Sequence, residues 1–148
     1  MLSNSAPTRV LAARLAPLLR AGDVVALRGE LGAGKTFFAR AVIQALGGPE
    51  EVPSPTFTLV QTYDLAPAPV WHFDLYRLAR PEDAWELGLE EAMSEAISLI
   101  EWPERLGPLL PEVRLDIELS PGAGSDARRA RVTGRGSWAE RLESLSYD

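Results

Sequence analysis

Asp23-Val24-Val25-Ala26-Leu27-Arg28-Gly29-Glu30-Leu31-Gly32-Ala33-Gly34-Lys35-Thr36 is the stretch that decides how this chain folds. Its first part is a short apolar run that reads as a buried strand. Residues 29–36 fit the phosphate-binding pattern G-x-x-x-x-G-K-[ST] without a mismatch. Beyond Thr36, residues 37–46 carry apolar side chains at helical spacing, and Gly47-Gly48 followed by Pro49 ends the helix. Strand, glycine loop and helix are the order this chemistry needs. Glycines let backbone N–H groups converge on phosphate oxygens, and the helix N-terminus adds positive potential. The candidate nucleotide contacts are therefore Gly29, Gly32, Ala33, Gly34, Lys35, Thr36 and Phe37, with the Thr36 hydroxyl expected to serve Mg²⁺.

Lys35 is the only lysine, and every other basic residue is arginine. A compositional drift from lysine to arginine spares a lysine where a guanidinium will not serve. In a phosphate loop the ammonium acts as a compact point charge, and a planar guanidinium is too broad for the concavity.

The 148 residues read as one domain, 1–148, with a hydrophobic fraction of 46% that suits an ordinary globular core. No apolar run approaches the ~20 residues of a membrane span. With no cysteine and a single histidine, His72, the chain excludes disulfides, thiol catalysis and cysteine- or histidine-rich metal sites. A cytoplasmic location is expected. The net charge of −6 argues against a broad basic face for nucleic acid. The first 22 residues are free of acids and carry Arg9, Arg14 and Arg20, as a transit peptide does. A packed helix is the better reading, with Thr8 as cap and Leu11, Leu15, Leu18 and Leu19 as one stripe.

Residues 49–57 read as a loop rich in proline. Residues 58–63 and 70–74 read as a β-hairpin around Ala66-Pro67-Ala68-Pro69. Pro81 opens a helix through Leu87, and Gly88 divides it from a second near residues 90–96. Ile97-Ser98-Leu99-Ile100 is a buried strand ending in Glu101-Trp102-Pro103, with a short helix near residues 104–110. Val113, Leu115, Ile117 and Leu119 are expected on one face of a strand, with Arg114, Asp116 and Glu118 on the other. After a loop at 121–126, residues 129–133 form its partner. Ser137 caps a last helix holding Trp138, Leu142 and Leu145. The expected architecture is a three-layer α/β domain of the P-loop NTPase type. Its mixed sheet is parallel near the glycine loop and antiparallel beside it.

Phosphate hydrolysis also needs an acid for Mg²⁺ and a group that positions water. Two apolar strands end in an acid. Glu101 follows the more uniformly apolar run and is the metal candidate, leaving Asp74 to order or activate water. Thr56, in Ser54-Pro55-Thr56, falls where small GTPases carry a threonine that senses the γ-phosphate, so the segment is a candidate switch. Arg77 and Arg80 either assist phosphates or solvate the surface. Phe57, Trp71 and Trp85 read as core. A chain with one lysine at position 35 has no guanine-reading N-K-x-D motif, which favours ATP over GTP.

Five segments then coincide in order: residues 29–36, Ser54-Pro55-Thr56-Phe57-Thr58-Leu59-Val60, His72-Phe73-Asp74-Leu75-Tyr76-Arg77-Leu78, Leu87-Gly88-Leu89 and Glu101-Trp102-Pro103. From about residue 8 to 135 the chain resembles the TsaE (YjeE) family, the small ATPases of bacterial tRNA threonylcarbamoyladenosine synthesis. The resemblance implies an ATP/ADP-binding, Mg²⁺-dependent ATPase that works with a TsaD–TsaB heterodimer. It implies that the heterodimer transfers the threonylcarbamoyl group to adenosine 37 of tRNA, with tRNA a partner indirectly, through the complex. It implies Thr36 and Glu101 as magnesium residues, Asp74 as important for hydrolysis and Thr56 as part of a switch-like loop. It also implies Trp102 near the site and the 128–131 region near the nucleotide base. The catalytic candidates are thus Lys35, Asp74 and Thr56.

No arginine finger is evident, so slow hydrolysis alone and faster hydrolysis in the complex are expected. Two other readings stand beside this one. A small P-loop metabolite kinase would use Arg128, Arg129, Arg131 and Arg135 as a lid. A nucleotide-gated binding module would show negligible turnover.

Overall fold

A computed structural model of the chain describes residues 11–29, 35–48, 59–65, 68–121 and 128–142. Thr8, residues 30–34, Thr56 with its loop, the loop at 122–127 and Leu145 lie outside the described residues. The chain enters through helix α1 (residues 11–15) and a 3₁₀ turn, Ala16–Leu18. Strand β1 (Val24–Arg28) then leads to helix α2 (Lys35–Ala45). Strands β2 (Val60–Tyr63) and β3 (Val70–Asp74) form the expected hairpin. A 3₁₀ helix (Pro81–Leu87) and helix α3 (Leu89–Glu95) lead into β4 (Ile97–Glu101). A second 3₁₀ helix (Pro103–Leu109) precedes β5 (Arg114–Pro121), β6 (Arg128–Arg135) and helix α4 (Trp138–Leu142).

One mixed sheet has the order β2-β3-β4-β1-β5-β6. Strand β1 pairs in parallel with β4 on one side and β5 on the other, and β3 is parallel to β4. The two edge strands, β2 and β6, are antiparallel to their neighbours. The expected division into a parallel centre with antiparallel flanks is therefore the observed one. Strands buried on both faces read as continuous apolar runs. Val24, Val25, Ala26 and Leu27 of β1 are all buried, and so are all five residues of β4.

The side chains of those strands divide between two cores. Val25, Leu27, Ile97, Leu99, Leu115 and Ile117 pack with α1, α2 and α4 through Leu15, Phe38, Val42 and Trp138. Val24, Phe73 and Ile100 face the other way, against Leu78 of the turn after β3 and Ala84, Leu89 and Leu106 from the 3₁₀ helices and α3. Helices thus cover the sheet on two sides, giving three layers. Leu11, Leu15 and Leu19 are buried and Leu18 is half-buried, so the N-terminal stripe packs as a helix does.

Two glycines fix how covering elements join. Gly88 takes φ 88°, and a Cβ there would stand 2.8 Å from the Trp71 ring, so it breaks the helical course between residues 87 and 89. A Cβ on Gly134 would meet the Trp138 backbone at 2.7 Å, which is why α4 can fold closely onto β6.

Three expectations need correction. Helices at 81–87 and 103–109 are 3₁₀; a proline starts each, and Gly107 at φ 51° breaks the second. Val113 does not join the buried row of β5: it precedes the strand, is 52% exposed and lies against Gly136 at the turn after β6. Asp116, on the face opposite Leu115 and Ile117, is buried among arginines. Trp85 is exposed rather than core, because the 3₁₀ helix Pro81–Leu87 turns Ala84 inward instead.

Candidate functional site

Parallel strands end at one edge of the sheet, and here that edge collects the chemistry. Leu27 of β1 lies beside Glu101 of β4, and Glu101 lies beside Asp74 of β3. Ligands of open α/β sheets bind outside such carboxyl ends. Side chains two apart share a face. Glu101 therefore continues the row Ile97, Leu99, and His72 and Asp74 continue the row begun by Val70, on the face covered by α2.

The first residues of α2 meet this row. The Thr36 hydroxyl donates to the Glu101 carboxylate, 2.9 Å from Oε1 and 3.1 Å from Oε2. On its other side the carboxylate receives His72 Nε2 at 2.6 Å. A carboxylate only accepts, so the imidazole proton is on Nε2. Glu101 and His72 are both buried. Asp74 is buried at the end of β3, where its Oδ1 accepts the Tyr76 N–H at 3.1 Å.

Lys35, 4% exposed, donates through Nζ to the Gly29 carbonyl, which ties the start of the helix to the end of β1. Its ammonium also stands 3.7 Å from the centroid of the Trp102 ring. That geometry is a cation–π contact. The Trp102 ring packs on Tyr76 with centroids 4.9 Å apart.

Backbone strain gathers at the same edge. Leu59 (φ 69°) and Trp102 (φ 60°) are the two non-glycine residues with positive φ among the described residues. Leu59 accepts the Asp74 backbone N–H at 2.9 Å, and Trp102 directly follows Glu101. Strain of this kind, about 1–3 kcal/mol per residue, persists where the surroundings hold it and clusters at functional sites.

Other buried acids are arranged differently. Asp116 accepts from Arg135 Nε at 2.6 Å and Arg114 Nε at 3.0 Å, with Arg28 at 3.4 Å. Burial alone would raise its pKa; the hydrogen bonds from Arg135 and Arg114 and the charges of Arg114 and Arg28 outweigh this and hold it below the usual carboxylate value. Asp23 forms a two-pronged pair with Arg141, at 2.6 and 2.7 Å, and also accepts the Arg20 N–H.

Of the residues singled out in the sequence, Gly29, Lys35, Thr36, Asp74 and Glu101 come together. Gly32, Ala33, Gly34 and Thr56 lie outside the described residues. Phe37 follows Thr36 in the first turn of α2. Arg80 is at the surface and pairs with Asp83 at 3.4 Å. His72 is the participant that sequence reasoning passed over. Its signal was the spacing to Asp74, two residues apart on one strand face.

Strand, phosphate loop, helix and a neighbouring strand-end acid define a P-loop-type α/β domain. The family described as "Threonylcarbamoyl adenosine biosynthesis protein TsaE" matches residues 2–130. The tRNA threonylcarbamoyladenosine biosynthesis protein TsaE of Rickettsia felis is 44% identical over 120 residues, 80% of this chain and 70% of that protein. The Bacillus subtilis protein of the same name is 37% identical over 145 residues, 97% of this chain and 90% of its own length. The crystal structure of Bacillus subtilis YdiB superposes with a TM-score of 0.80 at 33% identity, covering 96% of this chain and 88% of that one. The chain belongs to the TsaE family, and so to the proteins of tRNA threonylcarbamoyladenosine biosynthesis. Among the described residues, no helix is long and apolar enough to cross a membrane.

Proposed function

We propose that this protein is a Mg²⁺-dependent ATPase that supports threonylcarbamoyl transfer to adenosine 37 of tRNA by a TsaD–TsaB partner, in the cytoplasm. The observation that carries the reading is the contact between the Thr36 hydroxyl and Glu101, 2.9 Å. It joins the helix that starts at the phosphate loop to the acid of the adjacent parallel strand.

The donor set fits magnesium. Thr36 and Glu101 offer hard oxygens, and Mg²⁺ is commonly held by one or two protein groups with the remainder supplied by phosphates and water. When bound, the ion supplies neutralisation of charge on the β- and γ-phosphates.

The chain's own groups divide the remaining work. Lys35 turns its ammonium from the Gly29 carbonyl and the Trp102 ring to the phosphates and stabilises the charge that grows there. Amides of the glycine loop and the first turn of α2 hold the same oxygens. Asp74, next to Glu101 in register, orients the attacking water. Thr56 is proposed to sense the γ-phosphate from its loop. The partner supplies what raises turnover, since a cationic group given in trans is worth about 10³–10⁵ in rate. The arginines of β6 support this reading over the kinase, because Arg135 is engaged with Asp116 in a paired strand rather than poised as a lid.

The test is phosphate release from ATP and Mg²⁺ by the purified protein, alone and with TsaD–TsaB. Slow release alone, stimulated by the partner and lost in Lys35→Ala, is expected. Bound nucleotide without stimulated release would replace the ATPase by a nucleotide-gated module. Phosphate passed to a small acceptor would replace it by a kinase.

A further inference from the structure

We infer that His72 is the positioning residue for the metal-binding carboxylate: its Nε2–H holds Glu101 Oε2, which fixes the plane of the carboxyl group and presents Oε1 toward Thr36. The inference rests on the Mg²⁺ role proposed for Glu101 and adds a residue to it.

A glutamate side chain ends in a broad torsion, so its two oxygens need outside contacts to define them. Here the contacts are unlike. His72 Nε2 approaches Oε2 at 2.6 Å, whereas the shorter Thr36 contact, 2.9 Å, goes to Oε1. One oxygen is thus held from behind by the sheet, and the other leans toward the helix that carries the phosphate-loop residues. The imidazole itself has little freedom. It is fully buried, and its strand is paired on both sides, with Gln61 and Leu99 as its neighbours in register. Hydrogen-bonded groups behind a ligand orient it and tune its affinity.

A role in packing alone accounts poorly for this histidine. Nδ1 is buried without a hydrogen-bond partner among the described residues. An apolar side chain of similar size would carry no such unsatisfied atom. What the imidazole offers in exchange is a donor that reaches Glu101 from the neighbouring strand.

Two substitutions separate positioning from packing. His72→Gln brings an amide N–H to where Nε2 lies, and His72→Asn brings one only as far as Nδ1, short of Glu101. The two are alike in polarity. The readout is binding of a fluorescent ADP analogue, first in EDTA and then across a Mg²⁺ titration, with thermal unfolding as a check on folding. His72→Asn is expected to raise the Mg²⁺ concentration for half effect by roughly 10–100-fold. It should leave the affinity measured in EDTA unchanged, and His72→Gln should restore most of the loss. Equal shifts in the two variants, or a parallel fall of the EDTA affinity, would overturn the positioning role while leaving nucleotide binding intact. A wild-type protein whose ADP affinity ignores Mg²⁺ would remove the proposed metal site and this inference with it.

Discussion

Two kinds of buried carboxylate occupy this sheet, and they are treated in opposite ways. Asp116 is surrounded by Arg28, Arg114 and Arg135, and Asp23 is gripped by Arg141. Glu101 is as deeply buried, yet it meets a hydroxyl and an imidazole, with no arginine paired to it among the described residues. A chain with fourteen arginines had the means to neutralise this acid. A carboxylate paired with arginine has its charge answered within the fold and serves to join elements. A carboxylate met by a hydroxyl and an imidazole has no fixed guanidinium partner of that kind. On the proposed reading, the difference separates Glu101 as a metal site from Asp116 as a fastening.

Four substitutions probe that division, beginning where the largest effect is expected. Asp74→Ala should lower partner-stimulated phosphate release by roughly 10²–10⁴-fold, the range for a lost acid–base group, with ADP affinity retained. Wild-type turnover in this variant would take Asp74 out of the mechanism. Glu101→Gln keeps the shape of the side chain and removes its charge. It should raise the Mg²⁺ requirement by about 100-fold or more, beyond the cost of losing a residue behind a ligand. If ADP binding without metal fell as far, Glu101 would belong with the fastenings.

On the other side of the comparison, Arg141→Ala should cost about 2–3 kcal/mol in urea unfolding. That is less than the full cost of breaking a buried pair, because Arg141 is partly exposed. Nucleotide binding should be unchanged. Asp116→Asn should cost about 1–2 kcal/mol at pH 7, since the half-exposed Arg135 can turn to water. The acid's folded pKa is lowered, so its contribution is present above the unfolded value of about 3.9 and fades as pH falls through the folded one. The gap in stability between wild type and Asp116→Asn should therefore narrow below about pH 4. A gap that stays constant would mean the carboxylate charge is not what the arginines hold.

Much of this was legible in the residues. The run from Val24 through Thr36 announced its strand and helix because fully buried parallel strands and glycine loops leave strong local patterns. Asp74 and Glu101 stood out because each closes an apolar strand. What escaped was set by pairing between distant segments. Asp116 alternates with apolar neighbours as a solvent-facing residue does, and only the arrival of Arg28 and Arg135 from β1 and β6 explains its burial. His72 looked like a lone histidine in a strand until the register of β3 on β4 placed it behind Glu101. The positive φ of Leu59 and Trp102 has no signature in side chains of those types.

The position of β1 in the sheet also sets when the chain can begin to work. Both strands that flank β1, β4 and β5, come from the second half of the sequence. A ribosome that has just delivered Thr36 has yet to make either strand that flanks β1. Contacts so far apart close late and slowly. Strand β1 therefore waits for both of its neighbours, and its setting is complete only once β5 has been made.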